Sequence, residues 1–229
     1  MTSKLKPVTH VLFDMDGLIF NTEPIYESVF KELCEKYGHE LTAEARLKLL
    51  GSTERHSCEV CVTDLKLKVT LNDFIAEFRK ISQERLANVE FLPGAERLIK
   101  HLHANGVPIC VATSSGEESV AVKTKHHQEV FKLFHHITKG TDPELKEGKP
   151  APDIFLLAAS RFDTKADPGK CLVLEDAPNG VQGAVSANMQ VTMVPADYIS
   201  DELKAKATLA IKSLEDFQPE LFGLPPFKK

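Results

Sequence analysis

Short apolar runs rich in β-branched residues recur along the chain: VTHVLF at 8–13, VPICVAT at 107–113, HHITK at 135–139, KCLVLE at 170–175, QVTMVP at 190–195 and ATLAI at 207–211. Each predicts a strand, and the stretches between most of them carry apolar residues at helical spacing. Strands alternating with helices predict an α/β fold with a mostly parallel sheet. Residues 14–106 separate the first run from the second, too long a stretch for one crossover helix. Within it, SVFKELCEKYG and LNDFIAEFRKISQERL have the period of amphipathic helices.

A helical insertion is therefore expected directly after the first strand. It closes at Phe91-Leu92-Pro93-Gly94, before a helix over AERLIKHLHANG that Gly106 ends as a C′ glycine. An insertion at the carboxyl end of a strand in an open α/β sheet sits over the usual ligand crevice. The expected division is a core of 1–20 and 91–229 and a helical cap of 21–90.

Charge and cysteine content narrow the function classes. A net charge of -5 with no broad basic stripe argues against a nucleic-acid polymer as partner. No run approaches the roughly 18 to 20 apolar residues of a membrane span, and MTSKLKPVTH lacks a signal peptide's apolar core, so a cytoplasmic location is expected. Nothing in the chain calls for an obligate protein partner. The cysteines Cys34, Cys58, Cys61, Cys110 and Cys171 are odd in number and read as reduced thiols. The lone CxxC at Cys58 and Cys61 lacks a second pair, and the doublets His126-His127 and His135-His136 point their neighbours in different directions, so packing is the expected role of both.

Candidate chemistry gathers at four places, three of them strand ends. The first run delivers Asp14 and Asp16 in DMDG. Two carboxylates about 4 Å apart repel by roughly 4 kcal/mol at an effective dielectric near 20, so a divalent cation or a shared proton is a natural companion. A strand simply ending in an Asp/Gly loop is the plain alternative. The second end, Thr113-Ser114-Ser115-Gly116, offers hydroxyls and amides before a helix expected near Glu117, suited to a phosphate or to a plain N-cap. Lys149 sits between turn residues in GKPAPD. The run ending at Glu175-Asp176 supplies two more acids ahead of a helix at Pro178. Carboxylates from Asp14, Asp16 and Asp176 suit Mg²⁺.

Taken in order, FDMDG, the Thr113 strand end, Lys149 in GKPAPDIF and the Glu175-Asp176 pair resemble the four motifs of the haloacid dehalogenase-like hydrolase superfamily. The insertion after the first motif resembles the subgroup with a helical cap. The resemblance implies a Rossmann-like parallel-sheet core with that cap, and a Mg²⁺-dependent phosphomonoesterase acting on a small phosphorylated metabolite. A closer likeness within the family is carried by PVTHVLFDMDG, LPGAERLIKHL, VATSSG, CLVLEDAPNGV and SLEDFQPELFGLPPF, and is weakest in the insertion. It makes pseudouridine 5′-phosphate the specific substrate expectation among phosphorylated nucleosides and sugars.

The resemblance also implies roles. Asp14 is the expected nucleophile, forming an aspartyl-phosphate, and Asp16 the acid and base. Mg²⁺ is expected on Asp14, the backbone carbonyl of Asp16 and Asp176, with Glu175 in or near its shell. Thr113, Ser114 and Ser115 are expected to hold phosphoryl oxygens, and Lys149 to offset charge. Leu50-Gly51-Ser52-Thr53-Glu54-Arg55-His56 corresponds to a substrate-specificity loop, with Arg55 its polar reader. Family members typically carry Asp at Asn21 and Gly at Asn188; Asn suits a left-handed C′ position nearly as well as Gly. A phosphomutase of the β-phosphoglucomutase kind, or a binding protein on the same fold, would use the same core residues.

Overall fold

A computed structural model describes residues 5–49 and 52–228. Leu50 and Gly51 of the expected specificity loop lie outside the described residues. Each of the six apolar runs contains a strand: β1 His10–Phe13, β2 Ile109–Thr113, β3 Ile137–Lys139, β4 Cys171–Glu175, β5 Gln190–Met193 and β6 Leu209–Ala210. They pair in parallel, in the order β3-β2-β1-β4-β5-β6. Strand order reverses beside β1, the place where an open α/β sheet leaves a crevice at its carboxyl edge.

The runs are apolar throughout because both sheet faces are covered. Val11, Phe13, Val111, Leu172 and Leu174 enter one hydrophobic cluster, while Leu12, Cys110, Ala112, Cys171 and Val173 enter another on the opposite face. The first cluster is closed by α5, Ala95–Ala104, which buries Leu98, Ile99 and Leu102; each such side chain stabilises by roughly 1.5–3 kcal/mol. Gly106, at φ +70, stands just past the cap residue Asn105, as expected. The second face is covered by α8, Asp153–Ser160, and α9, Pro178–Ser186. Past α9, Asn188 does take the left-handed conformation, at φ +60.

Between β1 and α5 run α1 Glu23–Lys36, α2 Ala43–Leu49, α3 Glu54–Asp64 and α4 Leu71–Leu86. Thr53 and Thr70 cap α3 and α4 by accepting from the amides of His56 and Asp73. These helices share a third cluster of their own, built on Val29, Phe30, Leu33, Phe74 and Phe78. The chain enters and leaves this segment at neighbouring points: the Leu92 amide donates to the Ile19 carbonyl at 2.8 Å and the Asn21 amide to Glu90 at 3.1 Å. Phe20 and Phe91 bridge antiparallel and stack beside His127. The remaining α-helices among the described residues are α6 Glu117–Thr124, α7 Gln128–Phe131 and α10 Asp201–Lys204.

The other sequence signals settle into packing roles. Cys34, Cys58, Cys61, Cys110 and Cys171 are all free and buried. Burial pushes the Cys58 and Cys110 thiols up, and that of Cys171 to about 12, away from thiolate. His127 bonds the Val89 carbonyl, and His136 pairs with His135 and the Ala158 carbonyl. Among the described residues no helix is long and apolar enough to cross a membrane.

Candidate active site

Successive side chains of an extended segment point to opposite sides, so residues two apart share one. Met15 goes into the core, and Asp14 and Asp16 line the same cavity at the carboxyl edge of the sheet. Directly after them the chain turns back on itself: the Gly17 amide donates to Phe20 and the Phe20 amide to Met15. Gly17 makes this turn at φ +81, and a Cβ there would lie 2.2 Å from Asp176 Oδ2. Only glycine meets both demands.

Asp14 is buried against Lys149, whose Nζ stands 2.5 Å from Asp14 Oδ1 and 2.5 Å from Glu175 Oε1. Glu175 is itself fixed, its Oε2 accepting from the amides of Asp176 at 3.0 Å and Ala177 at 3.2 Å. Burial pushes the Asp14 carboxyl up to about 7; Lys149 opposes the shift, while Glu175 and Asp16 add to it. Lys149 stays charged: burial opposes its charge, but Asp14 and Glu175 more than offset that and raise it. Asp176 is raised well above the carboxylate range by burial, then by Glu175, Glu23 and Asp14.

Asp14, Glu175 and Asp176 each present a carboxylate oxygen within 4.8 Å of the others. Asp14 and Glu175 are buried and Asp176 is half-buried, and with all three ionised the single ammonium of Lys149 would leave negative charge uncompensated. Hard oxygen donors in that state fit a divalent cation of the Mg²⁺ type. The side chain of Asp16 is not in this group, because its oxygens are held elsewhere.

Asp16 accepts from Ser115 Oγ at 2.7 Å and from Thr113 Oγ1 at 3.4 Å, and both its oxygens lie 2.7 Å from Lys123 Nζ. Burial pushes its carboxyl up, but the Lys123 ammonium and these hydrogen bonds outweigh burial and hold it below the ordinary range. Lys123, on α6, is fully enclosed and also donates to Ser115 Oγ at 2.7 Å and to the Tyr26 hydroxyl at 3.3 Å. Tyr26 belongs to α1, so one buried ammonium ties the sheet edge to the inserted helices. Lys123 carried no sequence signal. In EESVAVKTK it reads as one more surface cation of a short helix, and only the distant Asp16 explains its burial.

Ser114 and Ser115 line the cavity with the aspartates, while Thr113 is buried behind them and accepts from the Ser115 amide at 3.1 Å. Opposite stand Glu23, Tyr26, Phe30 and Phe78 from α1 and α4, and Tyr198 from the core. Burial, then Asp16 and Asp14, push Glu23 up to about 8. Arg55 is exposed on α3 and is not among the lining residues. Glu54 and Ser57, three apart, occupy the inward face of that helix, which turns Arg55 outward. The guanidiniums lining the cavity are Arg46 and Arg79. Asn21 is exposed and is absent from the lining.

A family model for haloacid dehalogenase-like hydrolases matches residues 11–194. The probable pseudouridine-5′-phosphatase of Drosophila melanogaster is 45% identical over 97% of this chain and 97% of its own. A (DL)-glycerol-3-phosphatase of Arabidopsis thaliana is 42% identical over 96% of this chain and 93% of its own. The crystal structure of a β-phosphoglucomutase from Clostridium difficile superposes with TM-score 0.78 at 23% identity, covering 93% of this chain and 94% of that one.

Proposed function

The chain belongs to the haloacid dehalogenase-like hydrolase family, and from that premise we propose that it is a phosphomonoesterase for small phosphorylated sugars or nucleosides, with Asp14 as nucleophile. The observation that carries the reading is the pairing of two unlike aspartates on one cavity wall. Asp14 is held by Lys149, and Asp16 by Lys123 and hydroxyls. Relatives named for phosphatases of pseudouridine phosphate and glycerol phosphate agree with it, and pseudouridine 5′-phosphate is the first substrate to try.

In the first step an Asp14 oxygen bonds to phosphorus as the bond to the leaving oxygen breaks, and Asp16 gives that oxygen a proton. Because Lys123 keeps the resting Asp16 ionised, this proton arrives with the substrate, whose phosphate has a second pKa near 6. Water then attacks phosphorus as the bond to Asp14 breaks, Asp16 takes the water proton and passes it to the departing inorganic phosphate, and both aspartates are left ionised. Ser114, Ser115 and Lys149 offer the donors that steady the phosphoryl oxygens.

Asp14, Asp176 and the backbone carbonyl of Asp16 would hold Mg²⁺, with Glu175 positioning Lys149 beside it. When bound, the ion neutralises charge between carboxylate and phosphate and orients them. We assign residues 21–90 as a cap that supplies the leaving-group side of the cavity, over a core of 1–20 and 91–229.

The test is release of inorganic phosphate from aryl and metabolite phosphates with Mg²⁺. Wild type is expected to release it, and Asp14→Asn to be inert with an unchanged circular dichroism spectrum. Retention of configuration at phosphorus, the result of two successive displacements, marks the covalent route through Asp14, and inversion would mark direct attack by water. A wild type as inert as Asp14→Asn across the panel, or isomerised substrate without free phosphate, would sink the proposal.

A further inference from the structure

The inserted helices bring two guanidinium groups to the cavity, Arg46 from α2 and Arg79 from α4. A free guanidinium there would welcome a second phosphate or a carboxylate on the substrate, since its planar fork matches both. Each already has one carboxylate partner. Arg46 Nη2 lies 2.9 Å from Glu27 Oε1, and Arg79 Nε donates to Glu54 Oε1 at 2.8 Å. Glu27 and Glu54 themselves line the cavity, on α1 and at the start of α3. The lining also holds Glu23 and Glu118, and among its described residues there is no lysine. Glu118 leaves an acid excess on this side even when Glu23 is neutral.

The rest of the wall suits an uncharged guest. Ser52, Ser57, Ser82 and Gln83 offer neutral donors and acceptors of the kind that pair with hydroxyls. Phe30 and Phe78, stacked at 4.4 Å, form an apolar backing.

Resting on the phosphomonoesterase reading, we propose that Glu27 and Glu54 neutralise the two cavity arginines and so restrict the enzyme to monoesters whose leaving group carries no second negative charge. Polyol, sugar and nucleoside phosphates are accepted; bisphosphates and phosphorylated carboxylic acids are disfavoured. Both glutamates are specificity determinants that act through the arginines they hold. An anionic tail approaching either pair meets an arginine already paired with a carboxylate that repels it.

Matched substrates test this: fructose 1-phosphate against fructose 1,6-bisphosphate, and glycerol 3-phosphate against 3-phosphoglycerate, compared by kcat/KM with Mg²⁺. Wild type is expected to favour the member of each pair whose leaving group is uncharged. In Glu27→Gln and in Glu54→Gln, which lie on different helices, the ratio of anionic-tail to neutral-tail kcat/KM should rise about fivefold, the worth of one unit charge near 4 Å in a water-like dielectric. Adding Arg79→Gln to Glu54→Gln should return the ratio to wild type. Each ratio is internal to one preparation, so a lowered folded fraction does not move it. A wild type indifferent to the second charge, or both glutamine variants keeping its ratio, overturns the proposal. Failure of every phosphate ester overturns instead the hydrolase reading on which it rests.

Discussion

Replacing Lys123 with Met removes the ammonium that Asp16 faces while nearly keeping the volume of the side chain. The pair lies 2.7 Å apart, with Lys123 fully enclosed and Asp16 at 17% exposure. Removing one partner of a buried pair costs about 3–5 kcal/mol, because the other charge is left uncompensated. Asp16 keeps the Ser115 hydroxyl and some contact with water, which places the loss near the lower figure. For a chain of this length, about 3 kcal/mol lowers Tm by roughly 10 °C. The functional loss should depend on the leaving group. On the proposed route an alkoxide takes its proton from Asp16, and a positioned general acid is worth about 10²–10⁴ in rate. A nitrophenolate departs without one.

The assay is kcat for Lys123→Met on glycerol 3-phosphate and on p-nitrophenyl phosphate, well below the lowered Tm. The expected result is a loss of about 10² on the alkyl ester and a much smaller loss on the aryl ester. Equal losses on the two esters, or an unchanged Tm, would refute the idea that Lys123 orients the proton-transferring aspartate.

Three further outcomes are expected. A Cβ on Gly180 would stand 1.8 Å from Glu175 Oε1, so Gly180→Ala should displace Lys149 and lower kcat about 10²-fold, as misplacement by about 1 Å can, with little change in KM; kcat within twofold of wild type would contradict this. Asp176→Asn should raise the Tm of the metal-free protein by removing a carboxylate that burial and its neighbours disfavour. Wild type is expected to gain about 2.7 kcal/mol from Mg²⁺ at a hundred times Kd, and Asp176→Asn to gain none, read by calorimetry with and without chelator. His136 is held neutral mainly by burial, with its pKa lowered from 6.5 to about 4. Its neutral form is favoured by folding, so this contribution is full above pH 6.5 and is lost as pH falls towards 4. His136→Gln, which can still donate to the Ala158 carbonyl, should flatten the urea midpoint against pH across that window; a parallel profile would count against it.

The sheet was legible because its strands are buried on both faces and read as apolar runs with no competing period. The four charged strand ends and loops were legible because carboxylates, hydroxyls and a lysine recur where strands stop. Lys123 and Glu23 were not, since a helix of mixed charge does not announce which residue its neighbours will enclose. In sequence Arg55 reads as part of a loop, whereas the structure places it on α3, where helix phase turns Glu54 and Ser57 inward and Arg55 out. Arg46 and Arg79 come from helices whose approach to the sheet depends on packing among Phe30, Phe74 and Phe78. No local pattern encodes that approach.

The ribbon formed by Ile19 to Asn21 against Glu90 to Leu92 has a consequence for engineering. The whole helical segment leaves and rejoins the sheet at hydrogen-bonded neighbours. The closure entropy of that loop is therefore already met by the ribbon, and it grows only slowly with loop length. The site between Asn21 and Glu90 can then serve as a graft point: a segment of different length, or a tight turn in its place, leaves the strand register untouched. Chimeras joined there would exchange the proposed leaving-group wall while keeping Asp14, Asp16 and Lys149 of one parent.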